Sequence, residues 1–236
     1  MDASDRSRAA GGVAGCRIPA RFNGPPGTGN GGWSAGAFVT AAGARAGGPS
    51  MEVTLRLPPP LDTPLSVTHE DVRDDGGTLI AQLAPADRPD FSEFPAFVPF
   101  AEAVEASRSY PGFAEHPFPT CYVCGPEHPD GLRIFPGPLG DGRMAAPWTV
   151  PADVELATIW AALDCPGGWT ALVEGRTFVL GRIAVTVDEL PKPGASCVVA
   201  GRPTASSGRK SMVDSILYGE SGAPMAAARA TWIAVA

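Results

Sequence analysis

The sequence predicts an α+β protein made of two similar units in tandem, each with one helix followed by antiparallel strands. Two observations lead to this prediction. A short apolar helix precedes alternating segments in the first half, and the same order of elements recurs in the second half. The 29 glycines and 26 prolines lie mostly between these segments, which is typical of short strands joined by firm turns.

The first unit is predicted to begin with a buried helix over residues 33–42, ended by Gly43. Its apolar side chains are mostly small, so close packing is expected. Strict alternation and turn signals then predict three strands, at residues 51–57, 65–73 and 78–84. The Asp-Asp-Gly-Gly sequence at 74–77 is typical of a hairpin between the last two.

The second unit repeats this order. A helix is predicted over residues 155–164, so that Asp164 ends it. Four strands are predicted to follow, at residues 178–188, 196–202, 210–218 and 223–235. Gly219-Glu220-Ser221-Gly222 is the predicted last hairpin.

These elements divide the chain into a disordered tail (1–15), a first unit (16–87), a connector (88–117) and a second unit (118–236). The connector is too hydrophobic for a flexible linker. We expect it to pack across both halves and to line a pocket for an apolar ligand, through its phenylalanines at 91, 94, 97, 100 and 113.

Charge and composition exclude several classes of partner. The formal net charge is -7 and no basic run is present, which argues against nucleic acid and anionic membranes. No stretch approaches the roughly 20 apolar residues of a membrane span. Five scattered cysteines and an N-terminus without a signal-like apolar segment predict a location in the reducing cytoplasm.

Three short motifs stand out, at residues 30–33, 121–132 and 161–164. Residues 30–33, Asn-Gly-Gly-Trp, before the small-residue helix resemble the N-terminal half of double hot dog proteins of the acyl-CoA thioesterase II type. Residues 121–132, CYVCGPEHPDGL, resemble the segment that leads into single hot dog thioesterases of the phenylacetyl-CoA type. Residues 161–164, Ala-Ala-Leu-Asp, resemble the end of their central helix. The resemblance implies two tandem hot dog modules, each a curved antiparallel sheet around a central helix, forming a pseudo-dimer.

The departures from that pattern matter for the site. Single-domain relatives carry His-Gly-Gly eight residues before the catalytic Asp, whereas Leu156 stands eight residues before Asp164. Eight residues after Asn30 stands Phe38. The second half thus has the acid without the glycines, and the first half has the glycines without the acid. This implies one composite site. The Gln or Asn expected on the last strand is not evident at 225–232.

The resemblance implies hydrolysis of an acyl thioester. Asp164 would act as general base toward water or as a nucleophile, and the alternative is a structural Asp bonded to the turn at 166–168. The backbone N–H groups of Gly31 and Gly32 would polarise the thioester carbonyl. Asn30 would add a donor or cap the helix, and a capped turn without a ligand is the alternative.

Substrate binding is assigned to six further residues. The aromatic ones would meet the acyl group, and the cation in the Gly-Arg-Lys-Ser turn would meet nucleotide phosphates unless the turn is only a solvated hairpin end. They are Trp33, Phe97, Phe100, Trp160, Trp169 and Arg209.

The cysteines and histidines are not assigned to catalysis. Cys121 and Cys124, with His116 and His128, have some likeness to a zinc site, but no second well-spaced ligand pair follows. Cys165 has apolar neighbours in sequence and is expected to pack in the core, and His69 is expected on the surface. We therefore predict no metal and no cofactor.

Three functions remain open at this stage. The first is hydrolysis of an acyl-CoA or acyl-carrier-protein thioester. The second is dehydration or hydration of an acyl thioester, for which no matching His is found. The third is noncatalytic binding of the same ligands. The protein is expected to be a monomeric pseudo-dimer or a homo-oligomer of it.

Overall fold

In the computed structural model, which describes residues 12–171 and 176–235, eleven strands form one antiparallel sheet in the order β1-β3-β4-β5-β2-β8-β11-β10-β9-β7-β6. The first half contributes β1 Ala14–Cys16, β2 Met51–Leu55, β3 Leu65–Val67, β4 Asp71–Asp74 and β5 Leu79–Pro85. The second half contributes β6 Gly137–Pro138, β7 Met144–Thr149, β8 Thr177–Val187, β9 Ser196–Ser207, β10 Lys210–Tyr218 and β11 Pro224–Val235.

The two halves join where β2 pairs with β8, with Met51 opposite Val185 and Thr54 opposite Arg182. The sheet therefore continues from one half to the other without an open edge between them. The strands predicted at 51–57, 78–84 and across the second half are confirmed within a few residues, apart from β9, which runs five residues further. The last hairpin is confirmed as well, since Gly219 N–H bonds to the Ala223 carbonyl.

One predicted strand is wrong. Residues 65–73 form two short antiparallel strands, β3 and β4, with a turn between them. The Thr68 hydroxyl accepts hydrogen bonds from the N–H groups of Glu70 and Asp71, at 3.2 and 3.0 Å, and this local bonding reverses the chain. His69 lies exposed in that turn, as predicted.

Within residues 12–171 and 176–235, three α-helices accompany the sheet: α1 Gly31–Ala41, α2 Phe100–Ser107 and α3 Leu156–Ala171. The predicted α1 is confirmed, including its end at Gly43, which has a φ of +94° that glycine accommodates readily. The prediction that α3 ends at Asp164 is wrong, because the helix continues through Pro166 to Ala171. All but one of its residues are buried, and this packing outweighs the proline and two glycines that follow Asp164.

Helices α1 and α3 lie against each other on one face of the sheet and belong to the main core. Small side chains allow this approach: a Cβ placed on Gly36 would stand 2.6 Å from the Cα of Ala157. The close contact brings the N-terminal turn of α1 beside the middle of α3.

Residues 91–103 of the connector cover the other face of the second half of the sheet. Val198 and Ala200 on β9 point away from the main core and form a second cluster with Phe94, Val98 and Ala103. Helix α2 packs on β6, β7 and β9. The phenylalanines of the connector therefore pack mainly in this second cluster or lie on the surface beside it, and not around a ligand pocket as predicted.

Polar contacts fix the connector in place. Arg88 forms a bidentate pair with Asp188, with N–O distances of 2.6 and 2.7 Å. The Tyr218 hydroxyl donates to the Pro95 carbonyl at 2.7 Å. Side chains of the second half thus hold the connector at two separate points.

The tail predicted at 1–15 lies largely outside the described residues, and Ala14 and Gly15 within it belong to β1. Among the helices of the described residues, none combines the length and apolar character that crossing a membrane requires.

Candidate active site

Asp164 lies in the middle of α3 and is 2% exposed. It faces the first turn of α1, where a Cβ on Gly32 would stand 2.5 Å from the Asp164 Cβ. The residues that sequence analysis assigned to catalysis, although more than 130 positions apart in the chain, therefore meet at one place.

The two oxygens of the Asp164 carboxylate have different surroundings. Oδ2 accepts the Gly32 N–H at 2.9 Å and the Asn30 side-chain amide at 3.2 Å. Oδ1 is buried and has no hydrogen-bond partner among the described residues. The carboxylate is thus fixed through one oxygen and keeps the other available.

Asn30 has two roles at once. Its side-chain oxygen accepts the Trp33 N–H at 2.8 Å, as the N-cap of α1. Because the oxygen is occupied in this way, the Nδ2 group points toward Asp164. The predicted cap is confirmed, and the side-chain donor is directed at the carboxylate.

Burial raises the pKa of Asp164 to about 7, and negative charge at Cys121 acts in the same direction. The hydrogen bonds from Gly32 and Asn30 oppose this shift and lower the pKa. Removal from water is therefore the dominant influence on this carboxyl group.

A pocket of about 460 Å³ opens beside Asp164. Its walls combine apolar residues of β2 and β8, such as Leu55, Phe178 and Leu180, with Trp232 of β11. Asp164 and Arg56 are the charged residues of its lining among the residues described. Such a space accommodates an apolar group with its polar end at Asp164.

Gly31 and Gly32 differ in their relation to this pocket. Gly31 belongs to the lining, and its N–H has no hydrogen-bond partner among the described residues. The N–H of Gly32 is already bonded to Asp164. Of the two glycines predicted to hold a carbonyl oxygen, Gly31 is the one with a free donor at the N-terminus of a helix.

Of the six predicted substrate-binding residues, Trp169 lines the pocket. Trp33 stacks on Phe22 with ring centroids 3.7 Å apart, and Trp160 packs beside Gly36 between the helices. The other three lie elsewhere because residues 91–103 of the connector cover the opposite face of the sheet and residues 208–210 are exposed: Phe97, Phe100 and Arg209.

A cluster of thiols forms a second part of the pocket lining. Cys121 and Cys124 of the C-x-x-C segment meet Cys165 of α3, and their sulfur atoms all lie within 4.8 Å of one another. His116 Nε2 is 3.4 Å from the Cys124 sulfur. Sequence reasoning missed this cluster because Cys165 comes from a helix 41 residues further along the chain than Cys124.

The thiols influence one another's protonation. Hydrogen bonds from Cys124 and Cys165 lower the pKa of the Cys121 thiol. Burial and the bond to Cys121 raise the pKa of Cys124, and the bonds to its two neighbours raise that of Cys165. Cys121 is thus the thiol of the cluster that most readily ionises.

Comparison with solved structures finds the same architecture over nearly the full chain, at low sequence identity. A conserved protein of unknown function with the hot dog fold from Alicyclobacillus acidocaldarius aligns with a TM-score of 0.58 at 13% identity, covering 99% of this chain and 95% of that one. The tesB protein of Mycobacterium avium subsp. paratuberculosis aligns with a TM-score of 0.62 at 11% identity, covering 95% and 93%. The acyl-CoA thioesterase II of Mycobacterium marinum aligns with a TM-score of 0.59 at 11% identity, covering 94% and 93%.

No protein-family model matches the sequence, and no curated protein matches it. At sequence identities this low, the likeness shows that the backbones share a fold. The arrangement of one large antiparallel sheet around two packed helices, shared with these structures, shows that the chain has the hot dog fold.

Proposed function

We propose that the protein hydrolyses an acyl thioester, carried by coenzyme A or by an acyl-carrier protein, at a single site built by both halves of the chain. One observation carries this proposal. The Asp164 carboxylate is fixed through Oδ2 by two donors of α1 and keeps Oδ1 unpaired beside an apolar pocket. Such a carboxylate can accept a proton from a water molecule in the pocket.

The reaction follows from that arrangement. As the water oxygen bonds to the thioester carbon, Oδ1 of Asp164 takes the water proton and negative charge develops on the carbonyl oxygen. When the tetrahedral intermediate collapses, the carbon–sulfur bond breaks and Asp164 returns the proton to the leaving thiolate. The products are a free acid and a thiol, and the carboxylate is regenerated.

The oxyanion is assigned to the Gly31 N–H. Among the described residues this donor has no partner; it lies in the pocket lining, at the positive end of α1. Gly32 and Asn30 are positioning residues, because their donors are directed at Asp164. Gly31 has no side chain because Leu180 of β8 fills that space, since a Cβ on Gly31 would stand 2.9 Å from the Leu180 Cβ.

The two halves are proposed to be hot dog modules that form a pseudo-dimer within one chain. Each half supplies one helix, and the pairing of β2 with β8 joins their strands in one sheet. The acid comes from the second helix and its supporting donors from the first. Names of the solved structures, which include an acyl-CoA thioesterase II, are consistent with this chemistry.

The test is hydrolysis of a panel of acyl-CoA thioesters that differ in chain length and in aromatic content. The rate is measured as the loss of thioester absorbance. Asp164→Asn should lower kcat/KM by about a hundredfold or more, since a positioned general base contributes about 10²–10⁴. Its amide oxygen can still accept from Gly32 and Asn30, so the fold should persist.

Asp141→Asn is the matched control, because this exposed residue does not belong to the pocket lining and should leave the rate unchanged. Equal rates for the wild type and Asp164→Asn would overturn the proposed role of Asp164. Thermal stabilisation by acyl-CoA without any turnover would overturn hydrolysis and indicate a binding protein.

A further inference from the structure

The three thiols beside the pocket are arranged as metal ligands are. Cys121 and Cys124 lie on the C-x-x-C segment, and Cys165 projects from α3 next to Asp164. A zinc site built on C-x-x-C usually has a second pair of ligands elsewhere in the sequence. Here the single Cys165 of α3 stands in the place of that pair. All three are at most 5% exposed, so the sulfurs are shielded from bulk water.

The distances fit a tetrahedral ion with sulfur ligands. Zinc–sulfur bonds of about 2.3 Å place two sulfurs of a tetrahedron about 3.8 Å apart. The sulfurs of Cys121 and Cys165 are 3.9 Å apart, and those of all three cysteines lie within 4.8 Å. A movement of the Cys124 side chain by less than about 1 Å would complete three corners of the tetrahedron.

Donors surround the sulfurs and would support their ionised form. The Asn30 side-chain amide lies 3.8 Å from the Cys121 sulfur and 4.0 Å from the Cys165 sulfur. Nδ1 of His116 accepts the Phe118 N–H at 2.8 Å, so in the neutral ring the proton is on Nε2. Nε2 is therefore a donor to Cys124 and not a free ligand atom.

We propose that Cys121, Cys124 and Cys165 bind a zinc ion, with His116 as an outer-shell donor and the fourth coordination position open to the pocket. Three thiolates and one divalent ion carry one net negative charge, which the Asn30 and His116 donors face. The ion would tie the C-x-x-C segment to α3. Soft thiolate ligands favour zinc over magnesium or calcium.

The experiment uses the full chain, purified with a phosphine reductant, stripped of metal and titrated with cobalt(II). Wild-type protein should take up one equivalent and develop thiolate-to-cobalt charge-transfer bands together with the intense visible bands of tetrahedral cobalt. Zinc should then displace the cobalt and raise Tm, because an ion that binds the folded state stabilises it.

Single replacements of Cys121, Cys124 or Cys165 by Ser should weaken zinc binding by more than about a hundredfold, since loss of an outer-shell partner alone costs about 10–100-fold. Cys16→Ser is the control, because Cys16 lies on β1 outside the cluster and should bind as the wild type does. His116→Ala should bind about tenfold more weakly with the tetrahedral spectrum retained.

Two results would overturn the proposal. One is a wild-type protein without the charge-transfer bands and without a zinc-dependent rise in Tm. The other is equal binding by the wild type and a cluster variant that remains folded by circular dichroism. A His116→Ala protein as deficient as the cysteine variants would refute the outer-shell role of His116. These readouts do not involve thioester turnover, so they are independent of the proposed hydrolysis.

Discussion

Replacement of Gly32 by alanine tests the contact between the two helices on which the site depends. The new Cβ would stand 2.5 Å from the Asp164 Cβ and 2.6 Å from the Trp160 carbonyl oxygen. Both neighbours belong to the buried helix α3, and the Trp160 oxygen is a backbone atom. Relief therefore requires the helices to move apart by about 0.5 Å, which brings the contacts to roughly the 3.0 Å minimum of real structures.

The expected cost follows from that displacement. Overpacking of a core costs about 1–3 kcal/mol, and the better helix propensity of alanine returns at most about 1 kcal/mol. We expect Gly32→Ala to lower the free energy of unfolding by about 1–2 kcal/mol in urea denaturation, with an unchanged m value. The Gly32–Asp164 hydrogen bond would lengthen as well. Because a misplacement of about 1 Å can cost about 100-fold, we expect kcat/KM to fall about tenfold.

Two variants make this test specific. Gly36→Ala produces a similar clash one turn along α1, 2.6 Å from the Cα of Ala157, and should lower stability with a smaller effect on the rate. Gly15→Ala, in β1, has no heavy atom within 4 Å of its new Cβ and should change neither quantity. A Gly32→Ala protein as stable and as active as the wild type would refute the reasoning.

Two further predictions concern single hydrogen bonds. Asn30→Asp keeps the N-cap but replaces the donor to Asp164 by a second buried carboxylate oxygen, so kcat/KM should fall at least about tenfold and Tm at neutral pH should fall as well. An unchanged kcat/KM in the thioesterase assay would contradict the positioning role. Tyr218→Phe removes the bond to the Pro95 carbonyl and should lower the free energy of unfolding by about 0.5–1.5 kcal/mol without affecting hydrolysis, since Tyr218 does not line the pocket. Equal urea midpoints would show that this bond does not hold the connector.

The elements that the sequence predicted well are those with a clear local pattern. Residues 51–57 alternate strictly, and Gly219 to Gly222 contain the glycines that a hairpin turn needs, so both were predictable from neighbouring residues. The β3–β4 turn was not, because a single threonine hydroxyl bonded to two backbone N–H groups reverses the chain inside a segment of strand-forming residues.

The length of α3 shows the opposite failure of local sequence rules, because these rules predict a helix end that the structure does not have. Pro166 and the glycines after it favour an end to the helix, yet burial between the sheet and α1 keeps the helix intact to Ala171. Long-range packing of this kind leaves no mark in the neighbouring sequence. The meeting of Cys165 with Cys121 and Cys124 depends on the same packing and could not be predicted for the same reason.

The two adjacent glycines of α1 show why neither half of the chain reveals the site alone. In sequence they are equivalent, a flexible pair before a helix. In the structure Gly32 lacks a side chain because α3 leaves no room for one, and its N–H holds the carboxylate. Gly31 faces Leu180 and the pocket, and its N–H has no partner in the part of the chain that the structure describes. One glycine thus bonds to Asp164 and the other keeps the N–H that we propose for the oxyanion, and only the position of α3 distinguishes them.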